Sequence, residues 1–150
     1  MTKLTKLIAL LVVLLVLPSV AYSQGSTAVQ ASSNPNYGAT THYLTSAATT
    51  NSTSVKTSAG NVYLFSIVNT TATLYYLRIY NLAAAPTCSS ATGFVETIPI
   101  PASATGAGIV RSQPIAQAFT TGIAYCLTGG GSSTDNTAAA TGVYLTILYK

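Results

Sequence analysis

Few side chains in this sequence could carry out acid–base chemistry. The only acidic residues are Glu96 and Asp135, and the single histidine is His42. Two carboxylates could act as general acid and base, but apolar residues and prolines follow Glu96, and Asp135 lies among glycines, serines and threonines. A Ser–His–Asp arrangement would need His42 and Asp135 beside a serine, and no Gly-x-Ser-x-Gly segment is present. We therefore expect a polar strand residue at 42, a turn residue at 135, and no catalysis.

The sequence also offers little for binding a metal ion or a cofactor. The segment TGGGS, Thr128–Ser132, is rich in glycine, but no lysine follows it and no helical pattern begins there, so it is not a phosphate-binding loop. One histidine and no closely spaced cysteine pair do not make a metal site. We predict that the protein has neither cofactor nor metal.

The N-terminus has the three parts of a secretory signal peptide. Lys3 and Lys6 precede an apolar run from Leu7 to Leu17, and small residues follow Pro18. The pattern predicts cleavage after Ser23. A membrane anchor is the alternative, but the run is shorter than the roughly 20 residues of a spanning helix.

Removal of this segment changes the charge of the protein. The formal net charge is +4, and the loss of Lys3 and Lys6 gives +4 − 2 = +2. The remaining basic residues are not clustered, which argues against nucleic-acid binding. Charged residues make up only 5% of the chain, far below the usual quarter or so. Such a surface suits a secreted, periplasmic or extracellular protein, or one packed into an assembly.

The two cysteines, Cys88 and Cys126, both lie in the part predicted to be exported. An even number of cysteines in an oxidising compartment favours one disulfide bond between them. Two buried free thiols are the alternative.

The rest of the chain is typical of an all-β protein. Residues 24–39 are polar and aperiodic, which predicts a flexible arm. Short β-prone runs then alternate with turn residues, which predicts a single antiparallel β-sandwich of seven to eight strands over residues 40–150, jelly-roll-like or immunoglobulin-like. The predicted strands are Thr41–Ser46, Ser54–Thr57, Asn61–Asn69, Thr73–Leu82, Phe94–Ile100, Gly108–Phe119 with a break at Pro114, Gly122–Thr128 and Gly142–Tyr149. A long flexible loop is expected over Thr128–Gly142.

Two strands carry informative side-chain patterns. The last strand alternates, which places Val143, Leu145, Ile147 and Tyr149 on one face. The run NVYLFSIVN is apolar on both faces, with Val62, Leu64 and Val68 on one and Tyr63, Phe65 and Ile67 on the other. A strand of this kind is covered by a loop or lies at a subunit interface, and we favour an interface for at least one face.

The segment TLYYLRIYNLAAAPTC, from Thr73, places one arginine in a row of tyrosines. Tyr75, Leu77 and Ile79 should face the core, because an unpaired arginine belongs outside. Arg78 should then be exposed between Tyr76 and Tyr80. This row is a candidate binding face for glycans or a partner, through stacking and cation–π contacts. The alternative is a charge that prevents the sheet from aggregating, which we favour.

Several segments resemble a family of small proteins encoded in tailed-phage genomes and related viral sequences. The matching pieces cover roughly residues 47–150 and are SVKTSAGNVYLFSIVNT, YYLRIYNLAAAPT, TIPIPA, FTTGIAYCLTGG and LTILYK. The resemblance implies a β-sandwich associated with the virion, a structural or decoration role and no catalysis. The signal peptide departs from the family, as do Cys88 and Cys126, which stand where small apolar residues are expected.

Two functions follow from these observations. We expect a non-enzymatic structural protein of an extracellular or virion surface, which associates with itself or with other surface proteins through apolar β-faces. The alternative is a secreted binding module for glycans or a host surface that uses Tyr76, Arg78 and Tyr80. Neither involves nucleic acid or a membrane span in the mature chain.

Overall fold

The structure, a computed structural model, describes residues 38–150. The signal peptide predicted for residues 1–23 lies outside the described residues, as does the predicted arm apart from Gly38 and Ala39. Residues 38–150 contain no helix, and so none that is long and apolar enough to cross a membrane.

Eight β-strands form the domain, and every strand predicted from the sequence is found within two residues of its expected bounds. They are β1 (Thr40–Thr45), β2 (Thr53–Lys56), β3 (Gly60–Asn69), β4 (Tyr75–Tyr80), β5 (Phe94–Ile100), β6 (Ala107–Phe119), β7 (Ile123–Thr128) and β8 (Val143–Tyr149). The local signals, β-prone residues between turn residues, are sufficient for this.

The strands form two antiparallel sheets of four strands each. Sheet A has the order β1-β8-β3-β6, and sheet B has the order β2-β7-β4-β5. One hydrophobic core contains side chains of both sheets, so the sheets pack face to face as a sandwich. The predicted all-β antiparallel sandwich is confirmed.

The core is built from the inward positions of the central strands. Val143, Leu145 and Ile147 of β8 are buried, as their alternation predicts, and Leu77 and Ile79 of β4 face them from sheet B. Full burial of one such side chain contributes roughly 1.5–3 kcal/mol. The core therefore holds the two sheets together.

A β-bulge in β3 corrects one part of the prediction. The register of β3 shifts between Val62 and Leu64 against both neighbouring strands. Because the shift adds a residue, Val62 points into the core with Phe65 and Ile67 and not outward with Leu64 and Val68. The expected grouping of Val62 with Leu64 and Val68 is wrong for this reason.

The register shift in β3 lies opposite the segment of β6 that contains Pro114, where the sequence predicts a break. Strand β6 runs through this residue, but its pairing with β3 passes from Ser112 to Gln117 and skips the four positions between them. Proline has no N–H to donate to a ladder, so the unpaired segment lies where the sequence predicts it.

Candidate functional site

The row of Tyr76, Arg78 and Tyr80 is not an exposed binding face. Tyr75, Leu77 and Ile79 face the core as predicted, and Arg78 and Tyr80 do lie on the opposite face of sheet B. However, both are fully buried, with exposed fractions of 0%. The prediction that Arg78 is exposed is wrong, because loops of the chain itself cover this face of the sheet.

Hydrogen bonds explain how the arginine can be buried. Its Nη1 donates to the carbonyl oxygens of Cys88 and Ser132, both at 2.9 Å, and its Nη2 donates to the carbonyl oxygen of Asp135. Its Nε donates to Thr128 Oγ1 at 3.2 Å. A buried charge is tolerated when such partners replace water. Backbone oxygens of two separate loops, and no carboxylate oxygen, accept the hydrogen bonds of the guanidinium Nη atoms.

The loop between β7 and β8 lies directly on the tyrosines of the row. A Cβ atom added to Gly131 would lie 2.8 Å from Cε1 of Tyr76, so only a glycine allows this approach. The carbonyl oxygen of Gly131 accepts from Thr97 Oγ1 at 3.3 Å. The ring of Tyr80 lies under the guanidinium, with its centroid 5.9 Å from Arg78 Cζ. The row therefore holds the loop and offers no open platform.

This loop was expected to be flexible, but hydrogen bonds fix it at several points. Thr128 and Ala138 form a β-bridge, and Gly129 N–H donates to the carbonyl oxygen of Thr137 at 3.0 Å. The Asp135 carboxylate accepts from Gly130 N–H at 3.0 Å and from Thr137 Oγ1 at 2.9 Å. Burial alone would raise the pKa of Asp135, but these bonds and the charge of Arg78 outweigh it and lower the pKa. Asp135 is thus a turn residue, as predicted.

The predicted disulfide between Cys88 and Cys126 is present. It joins the loop after β4 to the central strand β7, with a Cα–Cα distance of 6.0 Å. Both cysteines are buried beside Tyr80 and Ala124 in a second, smaller core on the outside of sheet B. The disulfide and Arg78 therefore hold the same loop, because Cys88 belongs to both contacts.

The residues that a hydrolase would need do not come together. His42 Nε2 lies 3.0 Å from the hydroxyl of Tyr125 on the other sheet, whereas Asp135 bonds within its own loop. Burial lowers the pKa of His42 and raises the pKa of Tyr125. The pair links the two sheets across the core, and no hydrogen bond joins His42 to Asp135 in the part of the chain that the structure describes.

Glu96 takes part in a cluster that the sequence did not reveal. Its carboxylate pairs with the guanidinium of Arg111 and accepts a hydrogen bond of 2.8 Å from Gln117 Nε2. Glu96 lies on edge strand β5 and its two partners lie on edge strand β6. The cluster therefore joins the two sheets along one side of the sandwich. Both carboxylate oxygens of Glu96 have a partner in it.

Two asparagines that begin Asn-x-Ser/Thr sequences are also structural. Asn69 is fully buried, and its amide donates to the carbonyl oxygens of Thr73 and Pro101 at 2.8 and 2.9 Å. The amide of Asn51 donates to the carbonyl oxygens of Ala47 and Thr49. Both amide nitrogens donate hydrogen bonds inside the fold.

The described residues offer no site for a metal ion and one notable pocket. Within residues 38–150, no three His, Cys, Asp or Glu side chains group as metal ligands. A pocket of about 360 Å³ lies in the loop after β4. It is lined by uncharged residues: Leu82, Ala85, Pro86, Thr87, Ser90 and Thr92. These side chains carry no acid, base or nucleophile beyond hydroxyl groups.

Four of the seven exposed large apolar side chains among the described residues lie on the outward side of the other sheet. Residues that pair across antiparallel strands point to the same side, and the outward side of sheet A contains Tyr43, Val68, Val110 and Tyr144. Their exposed fractions are 61%, 40%, 71% and 37%. No charged residue points outward from the paired positions of this sheet. We call this surface the outer face of sheet A; the apolar pattern of β3 was the signal for it.

Comparisons of the chain with protein-family models, curated proteins and solved structures find no match. The resemblance to phage-encoded proteins therefore stays a prediction.

Proposed function

We propose that this protein is a non-enzymatic structural protein of an extracellular or virion surface, and that it associates with itself through the outer face of sheet A. The observation that supports the proposal most is the contrast between the two outer sheet faces. Sheet B is covered by loops that a buried arginine and a disulfide hold in place. Sheet A is left open and uncharged, and its exposed apolar side chains stand among serines and threonines.

A second copy of the chain is the partner that this surface fits. The paired positions of this face contain no charge that would select a charged ligand. Exposed contiguous apolar surface marks interaction sites in soluble proteins. Association of identical faces removes it from water without leaving any charged group unpaired.

The position of the few charged groups agrees with this proposal. Arg78 is buried and hydrogen-bonded inside the fold, and Glu96 and Arg111 form an ion pair at the side of the sandwich. Little charge therefore remains to keep neighbouring molecules apart, as a packed assembly requires. The alternative binding module on Tyr76, Arg78 and Tyr80 is not retained, since that row is covered.

A charge placed on the outer face tests the proposal. Val110→Lys adds a lysine to this face at the most exposed of its four apolar residues, on edge strand β6, and Val95→Lys adds the same charge to an exposed valine of edge strand β5. We expect light scattering to show association for the wild type and for Val95→Lys, and a loss of association for Val110→Lys. Equal association of all three proteins would contradict the proposal.

A further inference from the structure

Four strands lie at the edges of the two sheets: β1 and β6 in sheet A, and β2 and β5 in sheet B. An edge strand has a row of backbone N–H and C=O groups that face away from its neighbour and can pair with another strand. Proteins usually prevent such pairing with charges, prolines, bulges or very short edge strands. The four edges can therefore be compared for these features.

Three of the four edges are protected in this way. Strand β2 has only four residues, a register shift and a lysine, Lys56. Strand β5 contains Glu96 and Pro99, and its register with β4 shifts. Strand β6 contains Arg111, Pro114 and the segment that does not pair with β3. None of these strands offers a regular ladder to a second chain.

Strand β1 has none of these features. Its sequence is Thr-Thr-His-Tyr-Leu-Thr, and six consecutive residues pair with β8 without a register shift. It contains no proline and no Lys, Arg, Asp or Glu. Thr41, Tyr43 and Thr45 are exposed, and Tyr43 is an aromatic residue with 61% of its surface in contact with solvent. The uncharged edge therefore borders the uncharged outer face of sheet A.

We propose that β1 pairs with β1 of a second copy, antiparallel and across a two-fold axis, so that two copies of sheet A form one continuous eight-stranded sheet. Paired residues must point to the same side of the sheet, so the axis has to pass through a residue. An axis at Tyr43 is centred on the exposed stretch Thr41–Thr45. It places Tyr43 opposite its own copy and Thr41 opposite Thr45 of the second chain.

The end of the strand supports this register. Ser46, directly after β1, is buried, and its hydroxyl both donates to the carbonyl oxygen of Ala140 and accepts from Val143 N–H. The ladder therefore cannot extend beyond Thr45. Opposed aromatic residues stabilise an antiparallel pair, and Tyr43 is the only aromatic residue of the strand.

Pairing of the β1 edges deepens the proposed function and rests on it, because a stable assembly also needs contacts between outer faces of sheet A. A ladder of five residues is a small contact by itself, and stable interfaces bury considerably more surface. Edge pairing places two outer faces of sheet A side by side, which doubles the apolar surface available to further copies. The edge would thus determine how molecules join within a sheet, and the face how the sheets stack.

Cross-linking through introduced cysteines tests the register. In Tyr43→Cys the two new thiols face each other across the axis, within the range that a disulfide can span. The matched control is Thr41→Cys, which lies on the same strand and side but opposite residue 45 of the second chain. We expect Tyr43→Cys to form covalent dimers at least about tenfold faster than Thr41→Cys. A mixture of Thr41→Cys with Thr45→Cys should cross-link as Tyr43→Cys does, and peptide mapping would verify that Cys88–Cys126 is intact.

Hydrogen exchange of the unmodified full chain is the second measurement, because Tyr43→Cys also removes the aromatic pair. We expect the amides of Thr41–Thr45 to exchange more slowly as protein concentration rises. Equal cross-linking of Tyr43→Cys and Thr41→Cys, with exchange independent of concentration, would overturn the edge pairing. If light scattering still showed assembly in that case, the proposed function would stand without the edge pairing. Cross-linking at Tyr43 with no effect of Val110→Lys would support the edge and contradict the face.

Discussion

The guanidinium of Arg78 donates a hydrogen bond of 2.9 Å to the carbonyl oxygen of Cys88, which in turn is joined by its side chain to Cys126. One residue thus connects the buried charge of β4 to the disulfide of β7. The contact closes the outside of sheet B, because further carbonyl oxygens from the loop after β7 bind the same guanidinium. The apolar face of sheet A is left as the open side of the sandwich.

Replacement of Arg78 by alanine should destabilise the domain strongly. It would leave the carbonyl oxygens of Cys88 and Asp135 without the donor they have in the fold, and a cavity between two loops. We expect a loss of about 3–5 kcal/mol in the free energy of unfolding. Arg78→Lys should recover less than half of it, since one ammonium group cannot reach acceptors on three sides. Denaturant unfolding measures both values.

The control for this prediction is Arg111→Ala, because the Arg111 side chain is 42% exposed in its pair with Glu96. Exposed ion pairs contribute about 1 kcal/mol or less. A cost for Arg78→Ala no greater than that for Arg111→Ala would refute the structural role of the buried arginine.

The disulfide should stabilise the domain by closing a long segment of chain. Cys88 and Cys126 are separated by 38 positions, and removal of such a bond costs typically about 2–4 kcal/mol. We expect this loss for the double variant Cys88→Ala, Cys126→Ala in denaturant unfolding. Mass spectrometry of the protein without reductant should find no alkylatable thiol; two such thiols would contradict the prediction.

The stability of the domain should fall as the pH drops from about 7 through the ordinary histidine pKa of 6.5 and below it, because of His42. Burial lowers the pKa of its imidazole below the ordinary value of 6.5, so the unfolded chain binds a proton more readily than the folded one. This contribution is fully present above the unfolded pKa and is lost as the pH falls through the folded pKa. Urea unfolding across this range should show the decline in the wild type and a flatter profile in His42→Gln.

The carboxylate of Asp135 provides an internal comparison for the pH series. Its pKa is lowered from 3.8, so its contribution is present above that value and is lost only at more acidic pH. Asp135→Asn should therefore keep the decline that His42 causes. An unchanged decline in His42→Gln would mean that another group is responsible.

Replacement of the Asn69 side chain by alanine or by an ionised carboxylate should destabilise the domain. Asn69→Asp would place a carboxylate opposite two carbonyl oxygens, those of Thr73 and Pro101. We expect it to cost about 2–4 kcal/mol, more than Asn69→Ala. The matched control is Asn136→Asp at an exposed position, for which about 0.5 kcal/mol or less is expected. Thermal unfolding compares the three variants; equal melting temperatures would show that the buried bonds of Asn69 contribute nothing.

The sequence predicts the bounds of the strands better than it predicts which side chains are buried and what they contact. Strand bounds depend on local features, and the core positions of β8 follow from simple alternation. The face of Val62 could not be predicted in this way. It depends on a bulge that is seen only in the pairing of β3 with β6 and β8, near Pro114.

Arg78 was misplaced for a related reason. Its partners Ser132 and Asp135 are 54 and 57 positions away, and they bind through backbone oxygens, which any residue possesses. A search for acidic partners leads to Asp135 but does not reveal that its backbone oxygen accepts the hydrogen bond, nor does it find Ser132 or Cys88. One arginine among tyrosines, with a glycine-rich loop elsewhere in a chain of few charges, is the signal that would have suggested an internal anchor. The apolar character of both β3 faces was, by contrast, a sufficient signal for the open face of sheet A.

Sedimentation velocity of the wild-type protein over a range of concentrations tests the central claim most directly. The account predicts a sedimentation coefficient that increases with concentration, because molecules associate through the outer face of sheet A. A single monomeric species at every concentration, up to the highest that stays in solution, would contradict it.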